Sequence, residues 1–113
     1  METKIKKSVA TLLAHIIKID KRDVEKEAPL FCKLLGTDFG CSDKEAKEIL
    51  EQTMVQEYNL DEHIDIINDA LVDDKLSKMH ILEQLNHMIY SDTIKSHDYD
   101  VFEKIKNRLF SEK

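Results

Sequence analysis

The sequence predicts an all-α fold: a compact bundle of about six short helices, with a pseudo-repeated helix–acidic loop–helix unit. Three observations carry this reading. The chain of 113 residues holds 2 Gly and 1 Pro, too few turn formers for a sheet with its hairpins or for long irregular loops. Apolar residues recur at helical spacing through almost the whole chain. A short phrase also occurs twice, as His15-Ile16-Ile17-Lys18-Ile19-Asp20 and as His87-Met88-Ile89-Tyr90-Ser91-Asp92. Both copies read His-apolar-Ile-x-x-Asp, and both close an apolar segment ahead of a polar break. Such self-similarity is evidence about architecture, and it places carboxylates at two corners that could meet in space.

The elements follow in order. Ile5, Val9, Leu12, Leu13, Ile16 and Ile17 make one apolar face of a first helix from about Thr3 to Ile19. Asp20-Lys21-Arg22-Asp23 breaks it, and Asp23 can cap a second helix running towards Leu35. Val24, Ala28, Phe31 and Leu35 share a face there. Pro29 must lie near the start of that helix or bend it. Gly36 to Gly40 marks the next corner, and Ser42 with Glu45 has capping-box spacing. A third helix to about Gln56 then buries Ala46, Ile49, Leu50 and Val55. Asn59 or Asp61 opens a fourth, with Leu60, Ile64, Ile67 and Leu71 as its stripe, widened by Ile66 and Ala70. Asp73-Asp74 precedes a fifth, Lys75 to Tyr90, with Leu76, Met79, Leu82, Leu85 and Ile89 inward. A second acidic corner spans Ser91 to about Asp98. Val101, Phe102, Ile105 and Leu109 line the last helix.

Size and charge bound the function. Residues 1–113 make one domain with a modest core. The net charge of −6 argues against nucleic acid as a partner. Lys4, Lys6 and Lys7 form only a short basic start. Cys32 and Cys41 have no metal or redox spacing and read as reduced thiols. There is no export signal, and no apolar run approaches the roughly 20 residues of a membrane span, so the expectation is a cytoplasmic protein without direct membrane insertion.

The acidic corners are the first candidates for chemistry. The first offers Asp20, Asp23, Glu25 and Glu27; the second offers Asp92, Asp98 and Asp100, with His97 beside them. Converging carboxylates suit a hard divalent cation such as calcium or magnesium. If the two units pack side by side, Asp20, Glu27, Asp92 and Asp100 could share one ion. The plainer reading is that these acids are helix caps. An EF-hand does not fit, because Arg22 and Val24 stand where its loop needs oxygen ligands. His15 and His87 each lie five residues before the repeated Asp, about 140° round a helix, and so face away from it. No zinc signature, glycine-rich phosphate loop or nucleophile elbow is present. Met54, Met79 and Met88 lie at or beside apolar positions, where methionine fills a core or lines an adaptable groove.

With these residues in hand, the chain resembles the TerB-like domain of the tellurite-resistance protein B family. Ile19-Asp20-Lys21-Arg22 followed by Glu27 is similar to the first acidic loop of that family. Tyr90-Ser91-Asp92-Thr93 followed by Asp100 approximates the second, at a spacing one residue longer. Phe39-Gly40-Cys41-Ser42-Asp43-Lys44-Glu45-Ala46 resembles its central helix junction. The likeness runs from about Val9 to Leu109. It departs where Lys21 and Thr93 replace the glycine after each Asp. The resemblance implies an all-helical domain, a role in stress response or tellurite resistance, acidic loops that bind a metal, and adaptor use.

Together these point to a non-enzymatic stress-response module. It would bind a divalent cation through Asp20, Glu27, Asp92 and Asp100, or act as an adaptor for a protein partner. The alternative is a pure protein–protein interaction domain with its acidic loops serving as caps. A small hydrolase using a metal at the acidic corner is a third, weaker reading.

Overall fold

The computed structural model describes residues 3–110, which form an all-α bundle with no strand among them. A 3-10 turn, Thr3–Ile5, leads into α1 (Lys6–Ile19). There follow α2 (Val24–Phe39), α3 (Asp43–Val55), α4 (Leu60–Ala70), α5 (Lys75–Tyr90) and α6 (Ser96–Leu109). None of these helices is long and apolar enough to cross a membrane.

The central element is α1, which packs on α2, α3, α4 and α5. Its periodicity suggested one apolar face, yet every residue from Ser8 to Ala14 is buried, as are Ile16 and Ile17. Small residues make this possible. Ala10, Thr11 and Ala14 let neighbouring helices approach the side opposite the leucines, and the Thr11 hydroxyl is satisfied by the Lys7 carbonyl at 2.8 Å. Phe31 and Leu35 from α2, Leu50 from α3, Ile64 and Ile67 from α4, Ile81 and Leu85 from α5, and Ile105 from α6 complete one shared core.

Local chemistry sets the joints. Asp23, Ser42, Asn59 and Asp74 each accept a backbone N–H in the first turn of α2, α3, α4 and α5, as N-caps do. The corner expected over residues 36–40 is shorter than its glycines suggested. The helix α2 runs on through Gly36 to Phe39 and stops at Gly40, whose φ of 66° forms a left-handed C-cap. Pro29 lies inside α2, beyond the first turn, so the Glu25 carbonyl has no amide four residues on to accept from.

The inward face of α5 differs most from expectation. Leu76 is 84% exposed and Met79 48%, while Lys78 and Gln84 are buried beside Ile81, Leu82, Leu85, Met88 and Ile89. The buried face is rotated because Lys78 reaches under the end of α6. Its ammonium donates to the Leu109 carbonyl and to Asn68 Oδ1, both at 2.7 Å. Val55 and Ile66, expected to be covered, are also exposed; Val55 is the last residue of α3.

Candidate functional site: an arginine-centred junction of the two acidic corners

The first corner is a helix stop of unusual composition. The Arg22 amide donates to the Ile17 carbonyl at 2.9 Å and the Lys21 amide to the Lys18 carbonyl at 3.2 Å. This is the Schellman pair of hydrogen bonds, which needs a left-handed residue after the cap. Lys21 supplies it with φ 52°, the one positive φ outside glycine among the described residues. The turn directs Arg22 inward, and its side chain is 3% exposed.

The guanidinium of Arg22 joins the two corners. Its Nε donates to Asp20 Oδ2 at 3.0 Å. Its Nη1 donates to the Met88 carbonyl at 2.6 Å and lies 4.0 Å from Glu27 Oε1. Its Nη2 donates to the Ile89 carbonyl at 2.9 Å and approaches Asp98 Oδ2 at 3.5 Å. The Met88 and Ile89 carbonyls belong to the last turn of α5, where helical partners run out and the dipole is negative. Arg22 is therefore both a cap for α5 and the counter-charge for carboxylates from α2, α6 and its own turn. Ser91 Oγ adds a contact at 2.7 Å to Glu27 Oε2.

The four acids singled out from sequence have different fates. Asp20 and Glu27 are buried at the Arg22 guanidinium. Asp92 is partly exposed, accepts the Thr93 amide at 2.7 Å and lies 3.9 Å from Lys26 Nζ. That amide bond, more than the Lys26 and Arg22 charges, lowers the pKa of Asp92. Asp100 is exposed on α6 and makes none of these contacts. The inward place expected for it belongs to Asp98, which is fully buried. The reason is where α6 begins. It starts at Ser96, so Asp98 sits in the first turn and accepts the Lys95 amide at 3.0 Å. Asp100, two residues on, lies about 200° further round the helix.

Asp20 and Asp98 titrate as neighbours. Burial favours the neutral form of Asp20, but the neighbouring Asp98 carboxyl, the hydrogen bond to His97 and the Arg22 charge outweigh it and hold its pKa below the usual carboxylate range. Burial pushes Asp98 up, and the adjacent Asp20 adds to that, against the Lys95 amide and Arg22. His97 Nε2 contacts Asp20 Oδ1 directly and lies 3.8 Å from Asp98 Oδ1.

Comparison with known proteins gives no match to a family model, a curated protein or a solved structure. The junction is accordingly read from its own geometry. Arg22, His97 and Asp98 carry it together with Asp20 and Glu27. In the sequence Arg22 stands inside a polar break, with no ligand pattern of its own. The available signal was a cation in the middle of an acidic loop, which has to be neutralised somewhere if the loop is buried.

A second surface feature lies apart from this junction. Between α5 and α6 a groove of about 480 Å³ is lined by Met79, Leu82, Glu83, Asn86, Phe102, Lys106 and Phe110. Its floor is apolar, and its charged residues are one acid and one base.

Proposed function

We propose that this chain is a non-enzymatic, TerB-like binding module that takes an amphipathic helix of a partner protein in the groove between α5 and α6. The observation that carries the reading is the groove itself. Met79 is 48% exposed and, with Phe102 and Phe110, offers apolar surface along two adjacent helices. Two neighbouring helices leave a trough into which a third helix lays a ridge of side chains at positions i, i+3 or i+4, and i+7. Methionine and phenylalanine suit such a seat, since one adapts its shape and the other offers a large contact area. Glu83 and Lys106 on the lining would set the register of charged flanks on the guest helix.

The acidic junction supports this reading from the other side. Its arginine already supplies a positive charge to Asp20, Glu27 and Asp98, so the corners serve first to tie the turn after α1 to α2, the end of α5 and the start of α6. A part in stress response is carried by the TerB-like loops alone.

The test is a display selection of helical peptides on the folded chain, repeated on Met79→Glu, whose partly exposed position allows a fold check by circular dichroism. Enrichment of peptides with an apolar helical stripe, bound by the native chain and lost in Met79→Glu, supports the reading. Failure to enrich any such peptide, or peptides that bind both chains equally, counts against it.

A further inference from the structure

We propose that the outer side of the junction, where Asp20 Oδ1, Asp98 Oδ1 and His97 Nε2 converge, binds one first-row transition-metal dication of the zinc type, with a further coordination position open to solvent. The inference does not depend on the groove. It also differs from the four-carboxylate arrangement suggested by sequence, because its residues differ and one donor is an imidazole.

Three independent observations carry it. The first is convergence: the three donor atoms lie within 4.8 Å of one another. Ligand bonds of about 2.0–2.2 Å would bring such donors to roughly 3.3 Å apart. His97, whose side chain is 45% exposed, can turn to accommodate that, while the two carboxylates are held from behind.

The second is an unmet acceptor. Asp98 is fully buried, and its Oδ1 accepts no hydrogen bond among the described residues. It points to the side where His97 and Asp20 lie, 3.8 Å from His97 Nε2. Its other oxygen is held by the Lys95 amide and Arg22. Asp20 is arranged in the same way, with Oδ2 on Arg22 Nε and Oδ1 turned outward to His97. Each carboxylate thus has one oxygen fixed by Arg22 and the other on the His97 side, unpaired in Asp98 and on His97 itself in Asp20, which is how surrounding hydrogen bonds orient metal ligands.

The third is charge. Asp20, Glu27 and Asp98 have side chains no more than 3% exposed, and Arg22 is the buried cation among them. Three carboxylates against one guanidinium leave negative charge in a place where charge is costly. A dication on the solvent side neutralises it. The ion takes the place of the hydrogen bond between His97 and Asp20, with the neutral imidazole carrying its one proton on Nδ1 and its Nε2 lone pair on the metal. The nitrogen donor selects the ion class, since imidazole suits zinc and its transition-metal neighbours, while calcium and magnesium prefer all-oxygen sites.

The experiment is calorimetric titration of untagged, chelator-treated protein with zinc chloride, alongside magnesium and calcium chloride, followed by the visible absorption spectrum with cobalt(II). The expected result is one equivalent of zinc bound at least about tenfold more tightly than magnesium or calcium. Affinity should drop at least about tenfold in His97→Ala. The cobalt d–d bands should be lost in the same variant. His97→Ala also removes a hydrogen bond from the buried Asp20, so circular dichroism first checks that the variant is folded at the titration temperature. Asp20→Asn gives a second variant. Zinc binding unchanged in His97→Ala, no zinc binding, or equally tight calcium or magnesium would overturn the proposal.

Discussion

Arg22 donates to the Met88 carbonyl at 2.6 Å, so a residue in the turn after α1 caps the end of α5, far along the chain. The same guanidinium faces Asp20, Glu27 and Asp98. Removing it leaves buried carboxylates without their counter-charge and takes a donor from the Met88 and Ile89 carbonyls, which typically costs about 3–5 kcal/mol. Arg22→Met should lower the urea midpoint accordingly. Arg22→Lys should recover only part of the loss, because an ammonium cannot match the fork of donors that reaches Asp20, Met88 and Ile89 together.

Lys21 holds a left-handed backbone, φ 52°, in the turn that aims Arg22. A side chain there costs roughly 1 kcal/mol relative to glycine. Lys21→Gly is therefore expected to raise stability by about that amount in chemical denaturation, and to leave Arg22 and its contacts in place. A loss of stability would show that the Lys21 side chain makes a favourable contact that outweighs the strain.

Lys78 ties α5 to the end of α6 through the Leu109 carbonyl and Asn68 Oδ1, each at 2.7 Å. Lys78→Met keeps much of the buried stem but leaves both acceptors unmet, so a loss of about 1–3 kcal/mol is expected. Thermal unfolding measures it. Amide exchange should show α6 opening more readily than α1 in this variant.

His15 and His63 make the fold sensitive to mild acid. Burial lowers both pKa values from the ordinary 6.5; Lys18 and Lys104 add to this at His15, while at His63 the Glu62 charge opposes it without reversing it. His15 Nδ1 pairs with the Tyr58 hydroxyl at 2.6 Å and His63 Nδ1 with Ser8 Oγ at 2.9 Å. Below pH 6.5 the unfolded chain takes up protons that the native histidines resist, so stability present above that pH is lost as pH falls towards the native values. Unfolding free energy measured from pH 7.5 to 5 (roughly) should fall, and should fall less in His15→Gln with His63→Gln.

Asp98 acts in the opposite sense. Its pKa is raised, mainly by burial, so its contribution is fully present below the ordinary carboxylate value and is lost as pH rises through its native one. Asp98→Asn should remove that part of the pH dependence.

Most of the fold was legible because it rests on periodicity. The stripes of α1, α4 and α6 were read from spacing, and the caps at Asp23, Ser42 and Asn59 from residue type. What periodicity could not show was which polar residues are buried. Lys78 and Gln84 look like a solvent face of α5, yet tertiary partners bury them and turn Leu76 and Met79 outward. At the site, Asp20 and Glu27 were legible as acids at a corner. Asp98 takes the inward role expected of Asp100 because α6 starts at Ser96, and a shift of two residues at a helix terminus exchanges its inner and outer faces. Arg22 carries no ligand signal of its own, since a cation between acids marks a buried junction only once the two corners are packed together.

The most direct test of the junction is a double-mutant cycle joining Arg22→Met and Asp98→Asn, followed by urea denaturation at pH 7 in the presence of chelator. Residues that share a buried charge network are not additive. The account predicts a coupling of at least about 1 kcal/mol, with Asp98→Asn less harmful once Arg22 is gone. Additive losses would contradict it, since Arg22 would then not be the counter-charge that binds the second corner to the first.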